Sequence, residues 1–424
     1  MHKWPVYDDE QIETVVSVLR SGEVNAWTGP HVRRFEEAYA QALGVRHAIA
    51  LANGTLGLEL ALYALDMQSG DEVIVTPRSF MASASCVPFR GGVPVFADID
   101  PDSQNLTAKS ISACITPRTR GVIVVHLAGW PCDMAEIMQL ARERGLWVIE
   151  DCAQAHGAAI DGRPVGSFGD IAAFSFCQDK IITTGGEGGL IALNDDQLWA
   201  KAWSMKDHGK SYGATFQRSH GPGFRWLHET IGTNWRMTSI QAALGLLQLK
   251  RLKGWQEIRA RNAMLLYHAI GHLDVVRTPV PANAVQHAFY RFYTFLRPER
   301  LKPGYDRDRI VAEVAAAGAP CFSGSCGEIY LEKAFQDAGF GPSGRLPVAR
   351  DLAETSIAMQ VDPSIDAQTM AMRARILRDI LLSAQDADLA PPRLPYAPLP
   401  STTKFVSPPA TSPRLVHPIS PSGQ

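Results

Sequence analysis

A carboxylate and a lysine, Asp151 and Lys180, each follow an apolar run in the middle of this 424-residue chain. Trp147-Val148-Ile149-Glu150 leads to Asp151, and the run Ile171 to Phe176 leads through Cys177-Gln178-Asp179 to Lys180. A primary amine forms an imine with a carbonyl compound, and a carboxylate at a strand end can keep a ring nitrogen protonated. Pyridoxal phosphate chemistry needs both groups. Each residue also has a plainer reading. Lys180 alone could be a surface lysine, and Asp151 a helix cap or half of a structural ion pair. The glycine cluster Gly185-Gly186-Glu187-Gly188-Gly189 beyond Lys180 predicts a tight loop, where desolvation would favour the neutral, nucleophilic amine.

Further residues fit the same chemistry. Asn53-Gly54-Thr55 separates a short strand from the helical stretch Leu56 to Leu65, where backbone amides, a glycine and a hydroxyl can form a phosphate cup. A plain N-cap by Asn53 or Thr55 is the alternative. Ser175 could add a second hydroxyl. Phe80 follows the run Val73 to Val75 on a loop from which an aromatic could stack on a cofactor ring, although by itself it reads as a core residue. The glycine cluster fits neither G-x-G-x-x-G nor a P-loop, and none of the twelve histidines belongs to an H-E-x-x-H motif. His126, His156 and His208 lie near the proposed loops and read as satisfied structural histidines. No metal site is expected.

The elements that must position these residues alternate. Strands are predicted at Ala48–Leu51, Glu72–Thr76, Val93–Ala97, Gly121–His126, Leu146–Glu150, Ile171–Phe176 and Gly189–Leu193, with helical patterns between most of them. The clearest helix runs from Asp133 to Arg144, with Asp133 and Glu136 at capping-box spacing and Gly145 closing it. Such alternation implies βαβ units, a mainly parallel sheet, and ligands at the carboxyl ends of its strands. A strong helix from Ile240 to Leu252, extending towards Ala269, could bridge to a second domain. That domain would hold the strand Phe289–Leu296 and the helical patterns Arg309–Ala317 and Pro363–Ser383. The expected organisation is a large cofactor-binding domain with an N-terminal segment over 1–250, a small C-terminal domain over 251–384, and a proline-rich, disordered tail over 385–424. Pro395-Tyr396-Ala397-Pro398 and Pro418-Ile419-Ser420-Pro421 in the tail have polyproline-ligand spacing.

Composition narrows the function classes. A net charge of -2 gives no basic field for nucleic acid or an anionic membrane. The seven cysteines are scattered without a C-x-x-C pair, which suits reduced thiols in a cytoplasm. The N-terminus lacks the apolar core of a signal peptide, and no apolar run approaches the roughly 20 residues that span a bilayer. A cytoplasmic protein is expected.

These segments together resemble the DegT-type nucleotide-sugar aminotransferases, within the fold type I pyridoxal phosphate enzymes of the aspartate aminotransferase superfamily. The likeness runs from about Trp27 to Leu252. It is carried by Thr28-Gly29-Pro30, Asn53-Gly54-Thr55, Gly70-Asp71-Glu72-Val73-Ile74-Val75, Asp98-Ile99-Asp100-Pro101, Glu150-Asp151-Cys152-Ala153-Gln154-Ala155-His156-Gly157, Ser175-Phe176-Cys177-Gln178-Asp179-Lys180, Gly186-Glu187-Gly188-Gly189 and Gly232-Thr233-Asn234-Trp235-Arg236-Met237. The resemblance implies an α/β fold with a large, mainly parallel sheet between helices and a smaller C-terminal α+β domain. It implies that Lys180 carries the cofactor and moves the proton, that Asp151 pairs with the pyridine nitrogen, and that Gln154 bonds the ring hydroxyl. Phe80 and Ala153 would flank the ring, and Gly54, Thr55 and Ser175 would hold the phosphate. Asn234 would reach the phosphate of a neighbouring subunit, making a homodimer with shared active sites. Trp27, Thr28 and Arg236 would line the substrate cleft. The implied reaction moves an amino group from L-glutamate or L-glutamine to a nucleotide-linked keto sugar, a 4-keto-6-deoxyhexose first and a 3-keto sugar second. It would serve amino-sugar biosynthesis for surface polysaccharide or glycosides. A non-catalytic regulatory homologue is the alternative of another class. A dehydratase of the same fold carries histidine where Lys180 stands. The chain departs from the family at Gln178-Asp179, at Pro320-Cys321-Phe322-Ser323-Gly324-Ser325-Cys326, and in its tail.

Overall fold

The computed structural model of the protein describes residues 4–219 and 226–386. The proline-rich stretch and its two polyproline-like motifs lie outside the described residues.

Seven strands build the main sheet: β1 (His47–Leu51), β2 (Glu72–Val75), β3 (Val93–Phe96), β4 (Thr119–Val125), β5 (Trp147–Asp151), and, after the two-residue strands β6 (Ala159–Ile160) and β7 (Arg163–Pro164), β8 (Ile171–Ser175) and β9 (Gly189–Leu193). All seven expected strands are present, each within two residues of its predicted ends. Their spatial order is β1-β9-β8-β5-β4-β2-β3. β2, β3, β4, β5 and β8 pair in parallel, and β9 runs antiparallel to both β8 and β1. Six strands therefore point one way, and the carboxyl ends of β1, β2, β5 and β8 share one edge.

Alternation along the strands divides the core. Ile49 and Leu51 join Ile171 and Ala173 on one face, under the helix α3 described below, whereas Ala48 and Ala50 join Ala172 and Phe174 on the other. Helices α1 (Asp9–Ser21) and α2 (His31–Leu43) precede the sheet, and Phe35 and Tyr39 of α2 pack into that second face. Helix α3 (Gly54–Ala64) is buried along most of its length, as a helix apolar on nearly all sides must be.

The predicted helix after residue 239 is longer than its apolar pattern alone required, running unbroken over Ser239–Ile270. Its first part packs on α2, and its last turns (Ala263, Leu266, Tyr267, Ile270) enter a separate core. That core lies beneath an antiparallel sheet of β10 (Val276–Arg277), β12 (Phe292–Leu296), β13 (Cys321–Phe322) and β14 (Ser356–Met359), in the order β10-β12-β14-β13. Helix Ala367–Ala384 packs against the long helix. A short strand β11 (Val285–Gln286) pairs with β6 and so ties the chain leading into β12 to the main body. The architecture is α/β with a smaller C-terminal α+β unit, as expected. Among the described residues no helix is long and apolar enough to cross a membrane.

Candidate active site

The anion-binding corner forms where α3 begins. Asn53 caps the helix by accepting a hydrogen bond from the Leu56 amide at 3.0 Å. Gly54 is pressed against the end of β8: a Cβ there would lie 2.6 Å from the Ser175 Cβ and 3.0 Å from its Cα. Only glycine lets the helix start this close to the sheet. Thr55 and Ser175 both line the cavity at this corner, beside the first helical turn, where negative charge is favoured.

Asp151 ends β5 next to β8 and is buried. It accepts hydrogen bonds from the Ser83 hydroxyl at 2.7 Å and the Ala153 amide at 3.1 Å, both neutral donors. Burial raises its pKa, with Ser83, Ala153, Lys180 and His126 pulling the other way. A carboxylate kept out of water in this manner is poised for a cationic N–H. Gln154 is fixed through its carbonyl, which accepts from the Ala128 amide at 2.8 Å, so its NH₂ is the part able to donate elsewhere.

Directly behind Asp151, the ligand-capable atoms of His126, Glu150 and Cys152 lie within 4.8 Å of one another. The histidine and the carboxylate are already engaged. His126 Nε2 meets Glu150 at 3.1 Å and its Nδ1 accepts from the Cys132 amide at 3.0 Å, while Glu150 accepts from the amides of Gly166, Phe168 and Gly169. The cluster holds the 166–169 loop to β5, which is a structural role. His156 is likewise satisfied, between the Tyr39 hydroxyl at 2.7 Å and the Ser175 carbonyl at 2.8 Å.

Lys180 follows β8 on a turn closed by its own amide on the Cys177 carbonyl at 3.0 Å. Its side chain is 13% exposed, with Nζ 3.9 Å from an Asp179 carboxylate oxygen and 5.0 Å from the Tyr290 ring centre. Here one expectation is corrected. Burial does lower the pKa of this amine, but Tyr290, Asp179 and Asp151 outweigh it, and the net shift is upward. Without cofactor the lysine is held protonated, because Tyr290, the adjacent Asp179 and Asp151 at the end of β5 all act on the desolvated amine.

Asp179 is itself part of a network that the sequence pattern did not reveal. Its carboxylate accepts from the Tyr290 hydroxyl and lies 3.2 Å from Arg291 Nη2. Tyr290 and Arg291 are set in place by backbone hydrogen bonds from Ala288 to Gly129 and from Tyr290 to Ala128, each 2.9 Å. Gly129 sits at φ +92°, and a Cβ there would come 2.8 Å from that of Ala288, so the turn accepts the incoming strand only as glycine.

One cavity of about 650 Å³ is lined by Gly54, Thr55, Phe80, Asp151, Ala153, Gln154, Ser175 and Lys180. Eight of the expected site residues thus converge, from the ends of four strands. Phe80 is 66% exposed, at the cavity mouth, not in the core that its type alone suggested. Four expected residues are not brought in by a single chain. Trp27 stacks on Phe216 at 5.7 Å, Thr28 bonds Asn25, Arg236 pairs with buried Asp207 at 2.8 Å, and Asn234 is exposed beside them. The cavity also contains Ser83, Tyr290, Arg291 and Tyr293, which sequence reasoning missed, and Phe322 and Ser325 from the stretch Pro320 to Cys326 where the chain departs from its family. The alternating aromatics of Phe289–Leu296 marked a strand there, but not which residues would face the lysine.

The residues present fit pyridoxal phosphate on structural grounds. The cavity offers an anion corner that a Cβ at Gly54 would fill, a buried carboxylate bonded only by neutral donors, and a single lysine.

The model of the DegT/DnrJ/EryC1/StrS aminotransferase family matches residues 5–375. The chain is 42% identical over 315 residues to a GDP-perosamine synthase of Caulobacter vibrioides, covering 74% of this chain and 81% of that one. It is 35% identical over 356 residues to a UDP-N-acetyl-3-dehydro-alpha-D-glucosamine 3-aminotransferase of Acidithiobacillus ferrooxidans, covering 83% and 89%. Among solved structures, an aminotransferase from Psychrobacter cryohalolentis superposes with a TM-score of 0.89 at 47% identity, over 90% of this chain and 99% of that one.

Proposed function

We propose that this chain, which belongs to the DegT/DnrJ/EryC1/StrS aminotransferase family, takes its amino group from L-glutamate or L-glutamine and gives it to a nucleotide-linked 4-keto-6-deoxyhexose. The broader class is not in question: it is a pyridoxal phosphate-dependent nucleotide-sugar aminotransferase. The observation that carries the assignment of residues is the convergence of Lys180, Asp151 and the Gly54 corner on one cavity.

Bound there, pyridoxal phosphate supplies an aldehyde that exchanges amines and a ring that accepts the electron pair of a broken C–H bond. In this reading Gly54, Thr55 and Ser175 hold its phosphate, Asp151 keeps its ring nitrogen protonated, Gln154 donates to its hydroxyl, and Phe80 and Ala153 flank the ring. Lys180 would anchor it covalently and would move the proton as general acid and base through Nζ. Asn234, exposed and outside the cavity of its own chain, completes the phosphate site of a second copy, with Trp27, Thr28 and Arg236 at the shared cleft. The chain organisation that goes with this reading is a cofactor domain over 1–250, a smaller domain over 251–384 and a tail from 385.

A 3-keto sugar is the second reading, favoured by the likeness to the relative named for a UDP-linked 3-dehydro sugar. A screen of GDP-, UDP- and dTDP-linked 3-keto and 4-keto sugars with L-glutamate, read by mass spectrometry, separates them. Amination of a 4-keto-6-deoxyhexose is expected. Product from 3-keto sugars alone would overturn the first choice.

A further inference from the structure

The aminotransfer reading requires two unlike molecules to occupy one cavity in turn: an amino acid bearing carboxylates, and a sugar ring uncharged around its carbonyl. Lys180 and Arg291 are the cationic side chains among the described residues that line it. Lys180 is committed to the cofactor, which leaves Arg291 to meet a carboxylate. We propose that Arg291 is the carboxylate clamp of the amino-donor subsite, and that Asp179 occupies the clamp whenever no donor is bound. The inference rests on the function proposed above.

The two partners differ in a way that suits exchange. Arg291 is held firmly: its side chain is 11% exposed, its guanidinium lies 4.2 Å from the Tyr290 ring centre and 5.6 Å from that of Phe322, and Nη1 donates to the Tyr290 carbonyl at 3.2 Å. Asp179 is 51% exposed, so water can take over when it is displaced. A guanidinium that far from water is stabilised by a charged partner. While the neutral sugar ring fills the cavity, Asp179 supplies that partner. When the donor arrives, its carboxylate takes the same Nη2 position, with planar guanidinium geometry favouring a bidentate contact. One fixed cation thereby serves the charged substrate without being stranded by the neutral one.

The test uses the protein loaded with pyridoxal phosphate and titrated with glutarate, a dicarboxylate with no amino group to react. Binding is read by calorimetry and by the cofactor absorbance. The parent is expected to bind saturably and Arg291→Gln at least about tenfold more weakly, the loss of a charge-assisted hydrogen bond. Arg291→Lys recovers part of the affinity, and Asp179→Asn binds glutarate more tightly than the parent because the internal competitor is gone. In steady state, Arg291→Gln raises KM for L-glutamate more than KM for the nucleotide sugar. Equal glutarate affinity in parent and Arg291→Gln, no saturable binding by the parent, or weaker binding by Asp179→Asn each overturns the clamp. A parent that binds glutarate yet is not bleached by L-glutamate counts against the donor named above and leaves the clamp standing.

Discussion

At the scale of residues, the site depends on two groups whose environments differ sharply, the amine of Lys180 and the carboxylate of Asp151. Lys180→Ala should fold normally and lose turnover, because among the described residues no other amine lines the cavity to anchor the cofactor. Wild-type turnover by that variant would be incompatible with the assignment. Asp151→Asn keeps the shape and the bond accepted from the Ala153 amide, turns the Ser83 hydroxyl into an acceptor, and removes the charge. Its cofactor dissociation constant, measured by spectral titration, should rise roughly ten- to a hundredfold, as for other lost charge-assisted hydrogen bonds. His156 makes a different prediction, about stability. Burial pushes its pKa down from 6.5 to about 3, so it folds neutral. On acidification the unfolded chain takes up this proton first. Its contribution is complete above about 6.5 and is lost as pH falls towards 3. The urea midpoint of the parent should fall between about pH 7 and about pH 4, and less steeply in His156→Gln.

At the scale of elements, the site is a product of close approach between α3 and β8. Gly54→Ala forces the helix start away from Ser175, which should cost about 1–3 kcal/mol of stability by overpacking. Cofactor affinity should fall as well, measured on folded protein, since the hydroxyls of Thr55 and Ser175 separate. Unchanged affinity would remove the phosphate role from this corner. The same elements explain what could be read in the sequence. Strands buried on both faces, such as Val122–Val125 and Ile171–Ser175, appear as unbroken apolar runs, and Asp151 and Lys180 follow two of them. The Asp133 cap and the Gly145 stop of helix Met134–Arg144 were also legible, although Asp133 caps the Glu136 amide without the reciprocal bond of a full box. Two-residue strands such as β6, β7 and β11 have no periodicity to read. The Asp179–Arg291 pair spans 112 positions and depends on β11 pairing with β6 and on the turn at Gly129. Local pattern carries no trace of such a contact. The upward shift of Lys180 depends first on Tyr290, whose approach no local pattern shows, and then on Asp179 and Asp151, both visible in the sequence.

At the scale of the whole molecule, the long helix Ser239–Ile270 joins the main body to the C-terminal core, and residues from both sides close the cavity. The proposed dimer makes a further demand. Lys180→Ala and Asn234→Ala proteins, each impaired alone, should regain about a quarter of parental activity when unfolded together and refolded, because half the dimers then hold one intact site. No recovery would place Asn234 outside a shared site. The assignment of the cofactor depends on one bond. The protein loaded with pyridoxal phosphate can be reduced with borohydride, digested, and mapped by mass spectrometry. The account predicts the phosphopyridoxyl mass on the peptide containing Lys180 and on no other lysine. A label elsewhere, or no label on a yellow protein, would contradict it.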